Sequence, residues 1–319
     1  MTKVPNSMLE DGGSGGALGP QGRLSLTSGV SVTESDVTEA TAIYLVPDGI
    51  NLFPIYDGAK WQNRPFSQMT LTLNATAHPT ASGFDVWVAW QTGAMIIGTG
   101  PAWSSVTAGA SSRGTGVGTT EIEVFEGRIV NKNAIVLKNG TTTYASIPAR
   151  QATLVGGFLT TAAGQTSDSK ADRLLWNVNA VLRLAQGPDE VTASWTYSIS
   201  VYRQTNANTA NKFRVFQGLG GRLVKAEAYS FVSNSTATKR PIVVGIGVNS
   251  TTVNAVTAAG GGIGTVDSGG LLVRATYRGY PALGLNEFIW LENGGAADTQ
   301  TWFGVQPKFA PGIAGEVFL

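Results

Sequence analysis

Three pairs of carboxylates lie close enough along the chain to be considered for acid–base chemistry. A glycoside hydrolase needs two carboxyl groups on opposite sides of a sugar. Aromatic side chains could supply stacking platforms, although aromatic residues at alternating strand positions belong more often to a core. The candidate acids are Glu121 and Glu123, Asp168 and Asp172, and Glu287 and Glu292, and the candidate platforms are Trp195, Tyr280, Trp290 and Trp302. Any β-rich chain of this length contains such pairs, so a glycan-cleaving enzyme is the third of three hypotheses.

Other catalytic and metal-binding chemistries have little support in the sequence. The chain has no cysteine and a single histidine, His78, which excludes disulfides, thiolate chemistry and a two-histidine metal site within one chain. His78 precedes Pro79 in a loop, where we expect it to be solvated. The G-x-S-x-G match at Gly12–Gly16 lacks the flanking strand and helix of a nucleophile elbow. The glycine runs at 114–118 and 260–264 lack the Lys-Ser/Thr of a phosphate-binding loop. The sequence therefore predicts no enzyme, cofactor or metal.

Charge is scarce and balanced in this chain. Charged residues make up 13 %, with 22 basic and 21 acidic residues and a net charge of +1, whereas an ordinary soluble domain has roughly 25 %. No basic run provides the electrostatic footprint of nucleic-acid binding. A surface poor in charge is compatible with a protein that functions as part of an assembly.

The sequence also bears on where the protein is found. No run of 18 apolar residues is present, so we expect no membrane insertion. Met1–Glu10 contains no apolar h-region of a signal peptide, so we expect synthesis in a cytoplasm without export by that route.

Strand patterns dominate from Arg23 onward and predict an all-β fold. Runs enriched in β-branched and aromatic residues recur every 10–15 residues, which favours sandwiches or barrels over βαβ units. Asp57-Gly58 and Asn139-Gly140 lie between apolar runs and predict hairpins. We expect two antiparallel, jelly-roll-like β-sandwich domains, at residues 23–187 and 188–319, with the boundary at Gly187-Pro188-Asp189.

Two segments, residues 168–184 and 195–201, have distinctive periodic patterns. Residues 168–184 have apolar residues at both helical and strand spacing, so we predict a short helix that begins near Asp168 and a strand after Leu175. In the second half, Trp195, Tyr197, Ile199 and Val201 alternate with polar residues and predict one continuous strand.

Residues 1–22 form a separate, glycine-rich segment. Six glycines lie from Gly12 to Gly22, a composition that holds neither helix nor strand by itself. One interpretation is a disordered tail. The other is an extended arm that orders on a neighbouring subunit, at a cost in backbone entropy that main-chain pairing would help to offset. The apolar residues that such an arm would bury are Val4, Met8, Leu9 and Leu18.

A series of short phrases, in conserved order over about residues 22 to 305, resembles virion proteins of tailed phages. The phrases are GRLSLTSGVSVT (from Gly22), YDGAKW (56–61), FDVWV (84–88), GPAW (100–103), DSKADRLLWNVN (168–179), SWTY (194–197), YRQTNANTANK (from Tyr202), VGIGVNSTT (244–252), YRGYPALG (277–284) and WLE (290–292). The sequence departs from the family's pattern at Leu45-Val46-Pro47 and at Val178-Asn179-Ala180.

This resemblance implies a virion structural role, as a head or tail fibre, a spike or a minor capsid component, and no catalytic motif belongs to it. It suggests self-association, with a trimer among the options, and contact with other capsid or tail proteins. The first hypothesis is therefore a non-enzymatic, head- or tail-attached fibre or decoration protein, assembled in the host cytoplasm and held in the virion by its arm. A receptor- or glycan-binding tail module that contacts host surface glycan is the second hypothesis.

Overall fold

The all-β prediction is confirmed. The computed structural model describes residues 22–255, 262–307 and 309–319, in which strands dominate and the helical residues form one 3-10 turn, Thr205–Ala207. The strands of the first half are β1 (Gly22–Ser25), β2 (Val37–Ala40), β3 (Ala42–Pro47), β4 (Leu52–Tyr56), β5 (Trp61–Pro65), β6 (Met69–Thr72), β7 (Gly83–Gln91), β8 (Ala94–Ala102), β9 (Ile122–Phe125), β10 (Arg128–Asn131), β11 (Lys138–Asn139), β12 (Thr142–Thr143), β13 (Ala152–Ala162), β14 (Gln165–Asp168), β15 (Asp172–Arg173), β16 (Leu175–Asn177) and β17 (Leu182–Gln186).

The second half continues with strands of similar or greater length. They are β18 (Ser194–Thr196), β19 (Arg203–Gln204), β20 (Lys212–Gln217), β21 (Val224–Asn234), β22 (Arg240–Val248), β23 (Gly262–Val266), β24 (Leu271–Gly279), β25 (Gly284–Asn293), β26 (Gln300–Phe303) and β27 (Gly312–Phe318).

These strands form sandwich-like layers of mainly antiparallel sheets. A large sheet follows the path β12-β11-β8-β7-β13-β14-β15-β20-β25-β22-β23, and a six-stranded sheet contains β17, β27, β21, β26, β18 and β24. Strands β1, β3 and β6 form a third sheet, and β4 and β5 form a separate hairpin. The pairing of β15 with β20 is parallel.

Both predicted hairpins are present. Asp57-Gly58 begins the turn between β4 and β5, where the Asp57 carboxylate accepts the main-chain N–H groups of Ala59 and Lys60 at 2.9 Å. Asn139-Gly140 begins the turn between β11 and β12. Gly58 has a φ of +100°, a backbone conformation that a residue with a side chain adopts only at a cost in free energy.

Strand β7 is buried on both faces. Phe84, Val86 and Val88 pack in one hydrophobic core with residues of β1, β3, β4 and β6. Trp87 and Ala89 face the opposite way and pack in a second core that extends through the second half of the chain. Because successive side chains of a strand point to opposite faces, β7 and its neighbour β13 form the layer between the two cores.

The division at residue 187 stays a prediction, but pairing crosses it in two places. Strand β17 lies before the boundary and pairs over its full length with β27, near the end of the chain. Strand β15 pairs with β20. The second core likewise joins Leu154 and Trp176 to Trp290.

The helix predicted to begin near Asp168 is wrong. Residues 168–184 contain the end of β14, then β15, β16 and the start of β17. Leu175–Asn177 pairs with Gly156–Phe158 of β13, and Asp172 and Arg173 pair with β20. The local pattern was compatible with both helical and strand periodicity, and the pairing of each short strand with a distant strand decided between them.

The continuous strand predicted after Ser194 is also wrong in its second part. Strand β18 ends at Thr196 in the six-stranded sheet, and the chain joins the large sheet as β19. The hydroxyl of Tyr197 donates to the main-chain oxygen of Val201 at 2.7 Å across this corner. A chain that changes sheets must bend, and the bend leaves Ile199 and Val201 exposed.

The contact between Gly218 and Trp176 leads to a stability prediction. A Cβ at Gly218 would lie 1.8 Å from the Trp176 ring, which is itself buried. We expect Gly218→Ala to lower the free energy of unfolding by about 1–3 kcal/mol, because the indole must leave its packed position. Gly220→Ala is the matched control, since its Cβ meets nothing within 4 Å. Urea denaturation of both variants checks this, and equal stabilities would contradict it.

Candidate functional site

All six candidate acids are engaged in ion pairs. Their partners come from neighbouring strands and loops, at nitrogen–oxygen distances between 2.5 and 3.0 Å. The pairs are Glu121–Lys132, Glu123–Arg150, Asp168–Arg173, Asp168–Arg183, Asp172–Arg214, Glu287–Lys212 and Glu292–Arg203. None of these six acids is therefore left as an unpaired proton donor or base that faces an open sugar site.

Glu292 is the most enclosed of these acids. Its carboxylate is fully buried and accepts hydrogen bonds from Trp195 Nε1 and Arg203 Nε, both at 2.7 Å, and from the Asn206 main-chain N–H at 3.1 Å. Burial raises the pKa of Glu292, while the hydrogen bonds from Trp195 and Arg203 act in the opposite direction. The group joins β18, β19 and β25, and a sugar cannot reach it.

The predicted aromatic platforms separate into core and surface. Trp290 and Trp302 are fully buried and donate to Ser230 Oγ and to the Tyr197 main-chain oxygen. Tyr280 remains 69 % exposed. Alternating aromatic residues are core here, as their strand positions favour.

An ion pair that sequence reasoning missed lies beside the second core, against the rings of Trp103 and Trp176. Asp85, on β7, is fully buried and accepts from Arg113 Nε at 2.6 Å and Nη2 at 2.8 Å, and from Thr120 Oγ1 at 2.9 Å. The guanidinium lies 4.3 Å from the ring centre of Trp103. The available signal was the aspartate inside the apolar run FDVWV, since a buried charge needs a partner.

A second buried cluster joins the start of the described chain to its end. Asp168 accepts from Arg173 and Arg183, both at 3.0 Å, and all three side chains are largely buried. Arg23 lies beside them and donates to the main-chain oxygen of Leu319 at 3.3 Å. The cluster therefore connects β1, β14, β15 and β17 with Leu319.

One open cleft has room for a small ligand. Its volume is about 340 Å³, and its lining includes Arg113, Glu121, Leu219 and Leu283. Arg113 is paired with Asp85, and Glu121 is paired with Lys132. The cleft therefore presents apolar walls and compensated charges, without a free acid or base to act on an occupant.

His78 is not solvated, contrary to expectation. Its ring is fully buried, Nδ1 accepts the Asn74 main-chain N–H at 2.9 Å, and Nε2 lies 2.9 Å from Thr99 Oγ1. Because Nδ1 accepts, the neutral ring carries its proton on Nε2 and donates it to Thr99. Burial lowers the pKa of His78 to about 4.

The remaining predicted positions stay untested. Val4, Met8, Leu9 and Leu18 lie outside the described residues, as does the glycine motif at Gly12–Gly16. The run at 114–118 is a loop whose three glycines have positive φ. In the described ranges, no group of three or more His, Cys, Asp or Glu side chains is placed to hold a metal ion. The described part of the chain has no helix that is long and apolar enough to cross a membrane.

Comparisons with known proteins identify no family. No family model and no curated protein matches the chain. The mosquito-larvicidal Cry4Aa toxin of Bacillus thuringiensis matches 90 % of this chain and half of its own, at 9 % identity and a TM-score of 0.19. The structure of infectious bursal disease virus, Gx strain, matches 94 % of this chain and 82 % of its own, at 10 % identity and a TM-score of 0.19. Likenesses this weak indicate neither a shared fold nor a shared function.

The buried His78 predicts a pH dependence of stability. The unfolded chain binds a proton below pH 6.5 that the folded ring accepts only near pH 4, so stability falls as pH decreases through this window. We expect a loss of about 2 kcal/mol between pH 7 and pH 5 from this group. Urea titrations should show it in the wild type and not in His78→Asn. Equal slopes in both proteins would contradict the prediction.

The Asp85–Arg113 pair predicts a strong asymmetry between single and double substitutions. Asp85→Ala leaves the Arg113 charge buried without a partner, so we expect a loss of about 3–5 kcal/mol of unfolding free energy. The double variant Asp85→Ala/Arg113→Met should recover part of that loss. Glu316→Ala, in an exposed pair with Lys225, is the control and should cost less than about 1 kcal/mol. Similar losses for Asp85→Ala and Glu316→Ala would refute the role of burial.

Proposed function

We propose that this chain is a non-enzymatic structural component of a tailed-phage particle, a head- or tail-attached fibre or decoration protein that is anchored by its N-terminal arm. The main observation in support of the proposal is that every candidate acid forms an ion pair between elements of the fold. The chain uses its few charges to join strands, as a scaffold requires, and leaves none of these carboxylates free for a substrate.

The layered architecture supports a load-carrying role. Strands β7 and β13 lie between two cores, and β17 and β27 pair residues separated by most of the second half of the chain. Such long-range pairing ties distant segments together, so local opening of one strand is opposed by several others.

The resemblance to virion proteins is the reason for proposing a tailed-phage particle as the assembly. It runs from the first described strand, β1, to about residue 305, and its phrases contribute both buried and surface residues. Within it, FDVWV contains Asp85, a member of one buried ion-pair cluster, and DSKADRLLWNVN contains Asp168 and Arg173, two members of the other. The resemblance therefore includes residues that the fold itself depends on.

A receptor- or glycan-binding module is a second candidate, favoured by one observation. Tyr280 presents its ring at the surface with 69 % exposure, in a loop before β25. An exposed tyrosine is a suitable platform for a sugar ring.

Particle labelling combined with an arm variant tests the proposal. We expect immunogold with antibody to residues 191–319 to mark the head or tail of particles of the phage that encodes the chain. Replacing Val4, Met8, Leu9 and Leu18 by serine should abolish the labelling, because the arm loses its apolar contacts. Replacing Thr2, Asn6 and Ser7 by alanine is the control and should leave the labelling intact.

The position of the gold separates the alternatives. Gold over the head favours a decoration or head-fibre protein, and gold at the tail tip favours the receptor-binding module. Particles without gold, in a preparation where the wild-type chain is expressed and folded, would refute a virion role.

A further inference from the structure

The open cleft lies where three segments of the chain meet at strand ends. Residues 112–114 and 121–122 belong to the connection between β8 and β9 and to the start of β9, residues 218–220 follow β20, and Leu283 precedes β25. Strands β20 and β25 are paired up to Gln217 and Gly284. Two of the three segments are therefore held in place by a paired ladder.

Arg113 brings one unused guanidinium nitrogen to this cleft. Its side chain is only 7 % exposed, and Nε and Nη2 both donate to the fully buried Asp85. Nη1 has no hydrogen-bond partner among the described residues, and it is not one of the nitrogens that the protein encloses completely. Because the ion pair and the Trp103 ring fix the guanidinium, the two N–H groups of Nη1 are preorganised donors.

Main-chain groups in the turn after β20 are also available. Gly218, Leu219 and Gly220 form no main-chain hydrogen bond to another described residue. Gly220 has no side chain to cover the peptide groups beside it, and a Cβ there would meet nothing within 4 Å. Peptide groups of this kind pair readily with the main chain of another peptide.

The rest of the lining is apolar or balanced in charge. Three half-buried aliphatic residues line the cleft, namely Ile122, Leu219 and Leu283. The charge of Arg113 is balanced by Asp85, and that of Glu121 by Lys132 at 2.5 Å. Because these pairs leave no net charge, a charged ligand would lose its hydration on entry without gaining a counter-ion. The cleft therefore favours an uncharged ligand.

We propose that the cleft binds an uncharged aliphatic residue of a peptide. The side chain of that residue lies against Leu219 and Leu283, and its carbonyl oxygen accepts a hydrogen bond from Nη1 of Arg113. A volume of about 340 Å³ is at the lower end of the range for ligand pockets and suits one such residue with its two peptide groups. The partner protein that presents the peptide follows from the proposed function, whereas the chemistry of the cleft does not rest on it.

Two other ligand classes fit this cleft less well. A sugar ring is commonly held against an aromatic face, and no aromatic residue of the described chain lines the cleft. A carboxylate or phosphate is best bound by two parallel N–H groups of a guanidinium. In Arg113 the fork formed by Nε and Nη2 is already used by Asp85.

Titration with three small probes tests the ligand class. N-acetyl-leucine methylamide supplies an aliphatic side chain and two uncharged peptide groups, N-acetyl-glycine methylamide lacks the side chain, and methyl glucoside is a sugar. Saturation-transfer NMR on the full chain should show the leucine probe binding with a dissociation constant on the order of 1 mM. The glycine probe should bind about tenfold more weakly, because it buries no side chain. Methyl glucoside should show no saturable binding.

A variant that fills the cleft locates the binding. Gly220→Leu should weaken binding of the leucine probe by about tenfold, because the new side chain occupies the space of the ligand. Gly312→Leu is the matched control, at a glycine on β27 whose Cβ also meets nothing within 4 Å, and should leave binding unchanged. Leu219→Ser is a second variant and should weaken binding by about threefold, since it removes part of the apolar wall. Circular dichroism and the Tm establish that each variant is folded.

Nitrogen-15 spectra of the arginine side chains test the polar contact. The signals of Arg113 should shift when the leucine probe is added to the wild type, and they should stay in place in Gly220→Leu. The proposal would be overturned by a leucine probe that shows no saturable binding, by equal effects of Gly220→Leu and Gly312→Leu, by tighter binding of methyl glucoside, or by unshifted Arg113 signals.

Particle labelling separates this inference from the proposed function. Gold on particles, together with a leucine probe that does not bind, refutes the peptide site and leaves the virion role standing. Binding of the leucine probe with the expected response to Gly220→Leu, together with particles free of gold, supports the peptide site and refutes the virion role.

Discussion

The burial of β7 on both faces is the constraint around which this structure is organised. A strand in this position needs apolar side chains at alternate residues on each side, and the run from Phe84 to Ala89 provides them with the single exception of Asp85. A carboxylate at that depth is stable only with a complete set of partners. Arg113 and Thr120 supply them, and the Trp103 ring lies against the Arg113 guanidinium, so the loops that carry Arg113 and Thr120 are held against the central layer.

The same principle governs the other charged groups. With 43 charged residues in 319, the chain has few to spare, and many join segments that are distant in sequence. Glu292 links the corner of the chain near Trp195 to β25, and Asp168 links β14 to β15 and β17. Exposed ion pairs contribute little to stability, whereas these enclosed ones are costly to break. The enclosed ion pairs of Asp85, Asp168 and Glu292 are thus internal structural elements of this molecule.

Prediction from the sequence succeeded where the information was local. The turns at Asp57-Gly58 and Asn139-Gly140 were predictable because the conformation they need is encoded in two adjacent residues. It failed at residues 168–184 and 197–201, where the outcome depends on which strand lies alongside. It also failed for His78, because nothing in the neighbouring residues indicates that Thr99 and the rings of Phe84 and Phe158 enclose the imidazole.

The sequence by itself determined the all-β class, the turns at Asp57-Gly58 and Asn139-Gly140 and the absence of thiol chemistry, since each follows from residue type and from patterns between neighbouring residues. Tertiary structure alone decided which acids would form ion pairs, that Asp85 would meet Arg113, and that the two halves would share sheets. The physical reason is that periodicity specifies which face of a strand is apolar, whereas ion pairs and shared sheets depend on strand partners that can be tens or hundreds of residues away.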